Sequence, residues 1–162
     1  MAEKTIDIAS PILSRNERLA DQLRQRFKET NTYVINVLSS PGSGKTTTIL
    51  GTNERLRDKA DLRCAVIEGD IASDVDAITM KEAGMPAIQI NTGGLCHLEG
   101  NMIMEAVDAC DQAVGLENID VIFIENVGNL VCPVEFDCGE DAKVALLSVT
   151  EGDDKPEKYP LL

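Results

Sequence analysis

Residues 33–50, YVINVLSSPGSGKTTTIL, change character twice within one short stretch. Tyr33 to Leu38 is a β-branched apolar run that reads as a strand; the serines, proline and glycines of residues 39–44 break it, and a helix begins near Lys45. This strand–loop–helix order frames a phosphate-loop motif, in which a glycine, four residues, a second glycine, a lysine and a Ser or Thr follow one another. Here the positions run Ser39, Ser40, Pro41, Gly42, Ser43, Gly44, Lys45, Thr46, so Ser39 replaces the first glycine. The replacement is tolerable because Ser39 falls where the strand ends, whereas the backbone that wraps a phosphate lies around Gly42 and Gly44. Those glycines let successive N–H groups point inward, toward an anion held at the positive end of the following helix. Pro41, Gly42, Ser43, Gly44, Lys45, Thr46 and the adjoining Thr47 are therefore candidate nucleotide contacts. Lys45 would reach the β- and γ-phosphates, and the Thr46 hydroxyl is placed to hold magnesium.

Working outward, RCAVIEG, PAIQIN, DVIFIEN and KVALLSV are further short apolar runs, separated by segments long enough for helices. Nearly continuous apolar runs suit strands buried on both faces, so the spacing predicts an α/β fold with a mainly parallel sheet flanked by helices. MKEAG and MIMEAVDACDQAVG supply crossover helices, each ending near a glycine. Upstream, Leu19, Leu23 and Phe27 recur every four residues in SRNERLADQLRQRF, which predicts an amphipathic helix lying on the domain. The expected division is a helical extension over residues 1–30 and a P-loop domain over 31–162.

The 162-residue chain has 43% hydrophobic content, enough for one compact core. Fifteen basic against twenty-eight acidic residues give a net charge of -13, which disfavours nucleic acid and anionic membranes as partners. No segment approaches the roughly 18 apolar residues needed to span a bilayer and no signal-peptide run is visible, so a cytoplasmic protein is expected. Five scattered cysteines, an odd count, read as reduced thiols rather than a disulfide framework.

Magnesium prefers oxygen ligands, and a P-loop needs an acid at the carboxyl end of a neighbouring strand. Asp70 follows the strand RCAVIEG and Glu125 follows DVIFI; Glu68 is a weaker candidate. Glu125 also opens the tetrad Glu125, Asn126, Val127, Gly128, in which the Gly128 N–H is placed to sense the γ-phosphate. Cys96 and His97 adjoin in TGGLCHLEG, and Cys132 lies in NLVCPVE, four positions beyond Gly128. Both loops follow strands and should emerge at one sheet edge. Spacing leaves two readings open: an incomplete zinc or nickel site, which a second copy of the chain could complete, or small buried thiols beside a surface histidine. Cys64 and Cys110 read as core, and Cys138 in FDCGE is ambiguous.

The blocks SSPGSGKTT, VIEGD, PAIQINTGGLCHLEG, IENVGNLVCP, FDCGE and LLSVTEGDDKPEKYP resemble, in order, those of the HypB family, the hydrogenase nickel-incorporation GTPases of the dimerising P-loop class. The resemblance implies GTP and GDP as ligands with Mg2+, and a homodimer promoted by nucleotide. It implies Ni2+ or Zn2+ on Cys96, His97 and Cys132 at the dimer interface. It places Asp70 and Glu125 with Thr46 at the magnesium-linked positions, makes Lys45, Thr46 and Glu125 the catalytic group, and puts Lys155 near nucleotide and dimer contacts. The implied partners are the nickel-binding accessory protein HypA and the hydrogenase large subunit. Three departures stand out. The Asn-Lys-x-Asp motif that reads guanine is not reached before Leu162, which implies a P-loop domain cut short at its C-terminal end. The family's N-terminal cysteine motif and histidine-rich stretch are missing, and Cys138 replaces an aliphatic residue, which favours packing. The alternatives are a metal-binding module without turnover, its base pocket missing, and a small kinase, although the segment after Glu125 has no arginine-rich lid.

Overall fold

The computed structural model describes residues 9–70, 75–152 and 154–160. Its helices are α1 (Ala9–Thr30), α2 (Lys45–Ala60), α3 (Val75–Glu82), α4 (Gly100–Val114) and the single turns α5 (Cys132–Glu135) and α6 (Lys155–Lys158). Its strands are β1 (Tyr33–Ser39), β2 (Cys64–Asp70), β3 (Ala87–Asn91), β4 (Val121–Glu125) and β5 (Ala142–Leu146). They form one five-stranded sheet in the order β3-β2-β4-β1-β5, with every pairing parallel. Such a sheet needs a crossover between neighbours, and α2, α3 and α4 provide them.

Successive strand residues face opposite layers, which explains why β2 and β4 run apolar at consecutive positions until Glu68 and Glu125 near their carboxyl ends. Ala65, Ile67, Ile122 and Ile124 pack with Leu23 and Phe27 of α1 and Ile103 and Val107 of α4. Their sequence neighbours Cys64, Val66, Val121 and Phe123 pack with Ile49 of α2 and Met80 of α3. The strand β5 departs from the expectation of burial on both faces. It lies at the edge with β1 as its partner, and Lys143, Val144 and Ala145 are exposed. An apolar run looks the same in sequence whether one neighbour or two will cover it.

Helix α1 is built into the core. Leu23 is fully buried and Arg26 forms ion pairs with Asp108 and Asp111 on α4. The buried Asn16 accepts from the Gly100 N–H at 2.7 Å and donates to the Asp137 carbonyl at 2.7 Å, tying the start of α4 to the loop before β5. At Gly139, where φ is +77°, an added Cβ would lie 2.7 Å from Leu23 Cβ, so α1 seats tightly there. A Leu23→Ala variant is expected to lose about 2–5 kcal/mol of stability through the cavity it leaves, read as a lower urea midpoint. No helix among the described residues is long and apolar enough to cross a membrane.

Candidate functional site

The loop between β1 and α2 has the geometry of an anion seat. Gly42 and Gly44 adopt φ values of +76° and +87°, which side chains with a Cβ disfavour, and no side chain caps the first turn of α2. The N–H groups of that turn lie next to the loop at the positive end of the helix dipole. Lys45 Nζ donates to Ser39 Oγ at 3.2 Å, so the serine that replaces the first glycine of the motif holds the lysine in place. Beside the loop lies a cavity of about 340 Å3, lined by Pro41, Lys45, Glu68, Asp70, Glu125 and Gly128 among others. A larger hollow of about 820 Å3 opens at the opposite, amino-terminal ends of β1 and β4. It contains none of these residues, and volume alone does not make a site.

The carboxyl ends of β2 and β4 bring the acids to this cavity. Thr46 Oγ1 donates to Glu125 Oε1 at 2.9 Å, and Glu125 is 4% exposed. Glu68 pairs in register with Glu125 across the two strands and is 2% exposed, so it sits deeper in the cavity than the sequence ranking of it implied. Asp70 ends β2 at the rim. Hydroxyl and carboxylate oxygens converging beside a phosphate seat are the hard donors that magnesium takes, so the residues present fit that ion. Thr47 is exposed on the first turn of α2. Gly128 lies hard against the loop, where an added Cβ would meet Pro41 Cγ at 2.9 Å and Pro41 Cα and N at 3.0 Å.

A second group of side chains assembles immediately beyond. Cys96 and Cys132, 36 positions apart, place their Sγ atoms 2.9 Å from each other, and both are free thiols. His97 Nδ1 is 3.8 Å from Cys96 Sγ, and the ligand atoms of the three residues all lie within 4.8 Å of one another. His97 Nε2 is held 3.2 Å from Glu99 Oε1, and the ring stacks on Phe136 with centroids 3.9 Å apart. A proton on Nε2 shared with Glu99 leaves Nδ1 turned to the thiols as the donor nitrogen, the arrangement that metal-binding histidines use. The hydrogen bond with Cys132, and after it burial, holds the Cys96 thiol above its usual pKa. Cys138 is fully buried, donates to the Leu98 carbonyl and is pushed well up by burial, so it packs. Burial likewise raises Cys64 to about 11 and raises Cys110.

Several partners were beyond the reach of sequence reading. Ser43 Oγ donates to the Glu151 carboxylate, 108 positions away, and the Ser43 hydroxyl, then a hydrogen bond from Ser40, then the positive charges of Lys155 and Lys45, hold the Glu151 carboxyl below the usual range. Lys155 itself lies 5.6 Å from the centroid of the Tyr159 ring, on the same short helix end. Phe136 and Glu99 had no motif to mark them, although Glu99 lies two positions from His97 and a nearby carboxylate is a common partner of a metal-binding histidine.

Comparison with known proteins accords with this geometry. Residues 33–159 match the family model for the CobW/HypB/UreG nucleotide-binding domain. The hydrogenase maturation factor HypB of Escherichia coli K12 is 49% identical over 157 residues, covering 97% of this chain and 52% of that protein. The hydrogenase/urease maturation factor HypB of Helicobacter pylori J99 is 44% identical over 162 residues, all of this chain and 65% of that protein. The chain thus spans about half to two thirds of the length of the curated relatives it matches. Among solved structures, HypB from Helicobacter pylori in complex with nickel superposes with a TM-score of 0.84 at 44% identity, over 91% of this chain and 66% of that one. HypB from Archaeoglobus fulgidus gives a TM-score of 0.79 at 38% identity, over 91% of this chain and 69% of that one. The chain belongs to the CobW/HypB/UreG family of nucleotide-binding domains, within its HypB branch.

Proposed function

We propose that this chain is a nucleotide-dependent metal carrier: it binds GTP with magnesium, hydrolyses it slowly, and holds nickel on Cys96, His97 and Cys132 for insertion into a hydrogenase. The observation that supports this reading is the packing of Gly128 on Pro41, four positions before Cys132, since a loop that sensed phosphate at Gly128 would carry the proposed metal ligand with it. In the cradle, the N–H groups around Gly42 to Thr46 hold the phosphates, with Pro41, Ser43 and Thr47 flanking them. Lys45 leaves Ser39 to meet the transferred phosphate's charge. Thr46, Asp70 and Glu125 would hold magnesium, which neutralises phosphate charge when bound. Two thiols and an imidazole suit nickel or zinc, and three ligands leave a position for a second copy of the chain or for exchange with an acceptor. A nucleotide-promoted homodimer, with the nickel-binding accessory protein HypA and the hydrogenase large subunit as partners, completes the reading by analogy with relatives named as hydrogenase maturation factors. The helix α1 would be an extension to a P-loop domain over 31–162.

Coupling between the sites is the testable core. Nickel affinity is expected to differ by about fivefold or more between the GDP-bound chain and the chain bound to a non-hydrolysable GTP analogue. Calorimetry in the two states measures it, and equal affinities would sink the reading. Retained nickel binding with no phosphate release would leave a metal-binding module without turnover.

A further inference from the structure

Asn129 is bonded to both halves of the site at once. Its backbone forms an antiparallel bridge with Ser39, the fully buried residue at which β1 gives way to the phosphate loop and on which Lys45 rests. Its side-chain Nδ2 donates to the Cys96 carbonyl at 3.2 Å, and its Oδ1 accepts from the Val131 N–H at 2.9 Å, which sets the turn leading into Cys132. The partners fix the orientation of the amide, since a carbonyl on one side and an N–H on the other would both be lost on a flip. One planar side chain thus spans the two loops that carry the thiols, while its own backbone is pinned to the cradle.

Building on the function proposed above, we infer that Asn129 is the positioning residue that converts the state of the phosphate site into the geometry of the thiols. Any shift of the loop that follows Gly128 against Pro41 carries Asn129 with it. The two side-chain bonds then move Cys96 and the approach to Cys132 relative to each other. Aspartate at this position keeps the acceptor for Val131 but sets a carboxylate oxygen against the Cys96 carbonyl; alanine removes both bonds. The connection therefore depends on an amide, which offers a donor and an acceptor in one plane.

The test is nickel titration of the full chain and of its Asn129→Ala and Asn129→Asp variants, each with GDP and with a non-hydrolysable GTP analogue. The expected result is a ratio of affinities of about fivefold or more in the parent chain. That ratio should fall to near one in both variants, although each still binds nickel and nucleotide separately. The reciprocal measurement, analogue affinity with and without nickel, must lose the same factor, because linkage is symmetric. A purely structural role would lower the melting temperature and leave the ratio standing. If Asn129→Ala fails to fold, Asn129→Asp carries the comparison. Variants that keep the parent ratio would overturn the role of Asn129 and spare the metal-carrier reading. A parent ratio of one would overturn both.

Discussion

Replacing Lys45 with alanine is expected to lower triphosphate hydrolysis by about 100-fold or more, the loss found when one fixed donor to developing charge is removed. The expectation follows from the charge around it. The cavity beside the cradle is walled by Glu68, Asp70 and Glu125, and among the described residues Lys45 is the cationic side chain lining it. Without the ammonium, the N–H groups of the loop must hold the phosphates against those carboxylates alone. Lys45→Arg is not expected to rescue the rate, since a planar guanidinium does not fit a seat shaped for a compact point charge beside Ser39. Phosphate-release kinetics and nucleotide titration on the two variants check this, and unchanged hydrolysis in Lys45→Ala would place the chemistry elsewhere.

Cys96→Ser and Cys132→Ser are each expected to weaken nickel binding by about 100-fold or more, since even supporting groups around a metal are worth 10–100-fold. A hydroxyl stays protonated where a thiol yields a thiolate, and it is the harder donor. The proton balance gives a second reading of the same site. With the Cys96 thiol held above its usual pKa by its bond to Cys132 and by burial, the metal-free site keeps its proton, and nickel must displace it. Affinity should therefore rise with pH and fall as protons compete, with proton release on binding measurable by titration in buffers of different ionisation enthalpy. Cys138→Ala serves as the control, because its sulfur packs under Leu98 and takes no part. An intact nickel affinity in both serine variants would remove the thiols from the site.

The parts of this molecule that could be read in advance are those whose signals are local. Glycines at 42 and 44 announce left-handed backbone, and the flanking change of period from two to 3.6 announces strand and helix, so the cradle and the parallel core were legible. The meeting of Cys96 with Cys132 was legible too, because strands of an open parallel sheet deliver their following loops to one edge. What escaped was pairing across the chain. The identity of the face on which His97 stacks, the acid that bonds Ser43 and the amide that spans the thiol loops depend on where distant backbone comes to rest. The exposure of β5 escaped for a related reason, since strand order in a sheet is set by crossover handedness and packing, which the composition of one strand does not encode.

That outer strand bears on how the protein behaves in a tube. Among the described residues nothing pairs with the outer side of β5, which presents a row of backbone donors and acceptors, with Val144 and, just beyond, Leu147 and Val149 exposed. An edge of this kind is a template for another strand, and Lys143 is the one charged side chain within it. Colloidal repulsion then falls to the net charge of -13, which keeps like molecules apart while the solution is dilute in ions. Physiological salt shortens the reach of that repulsion to about 8 Å, less than the width of one sheet layer, and leaves β5 guarded by little more than its own lysine.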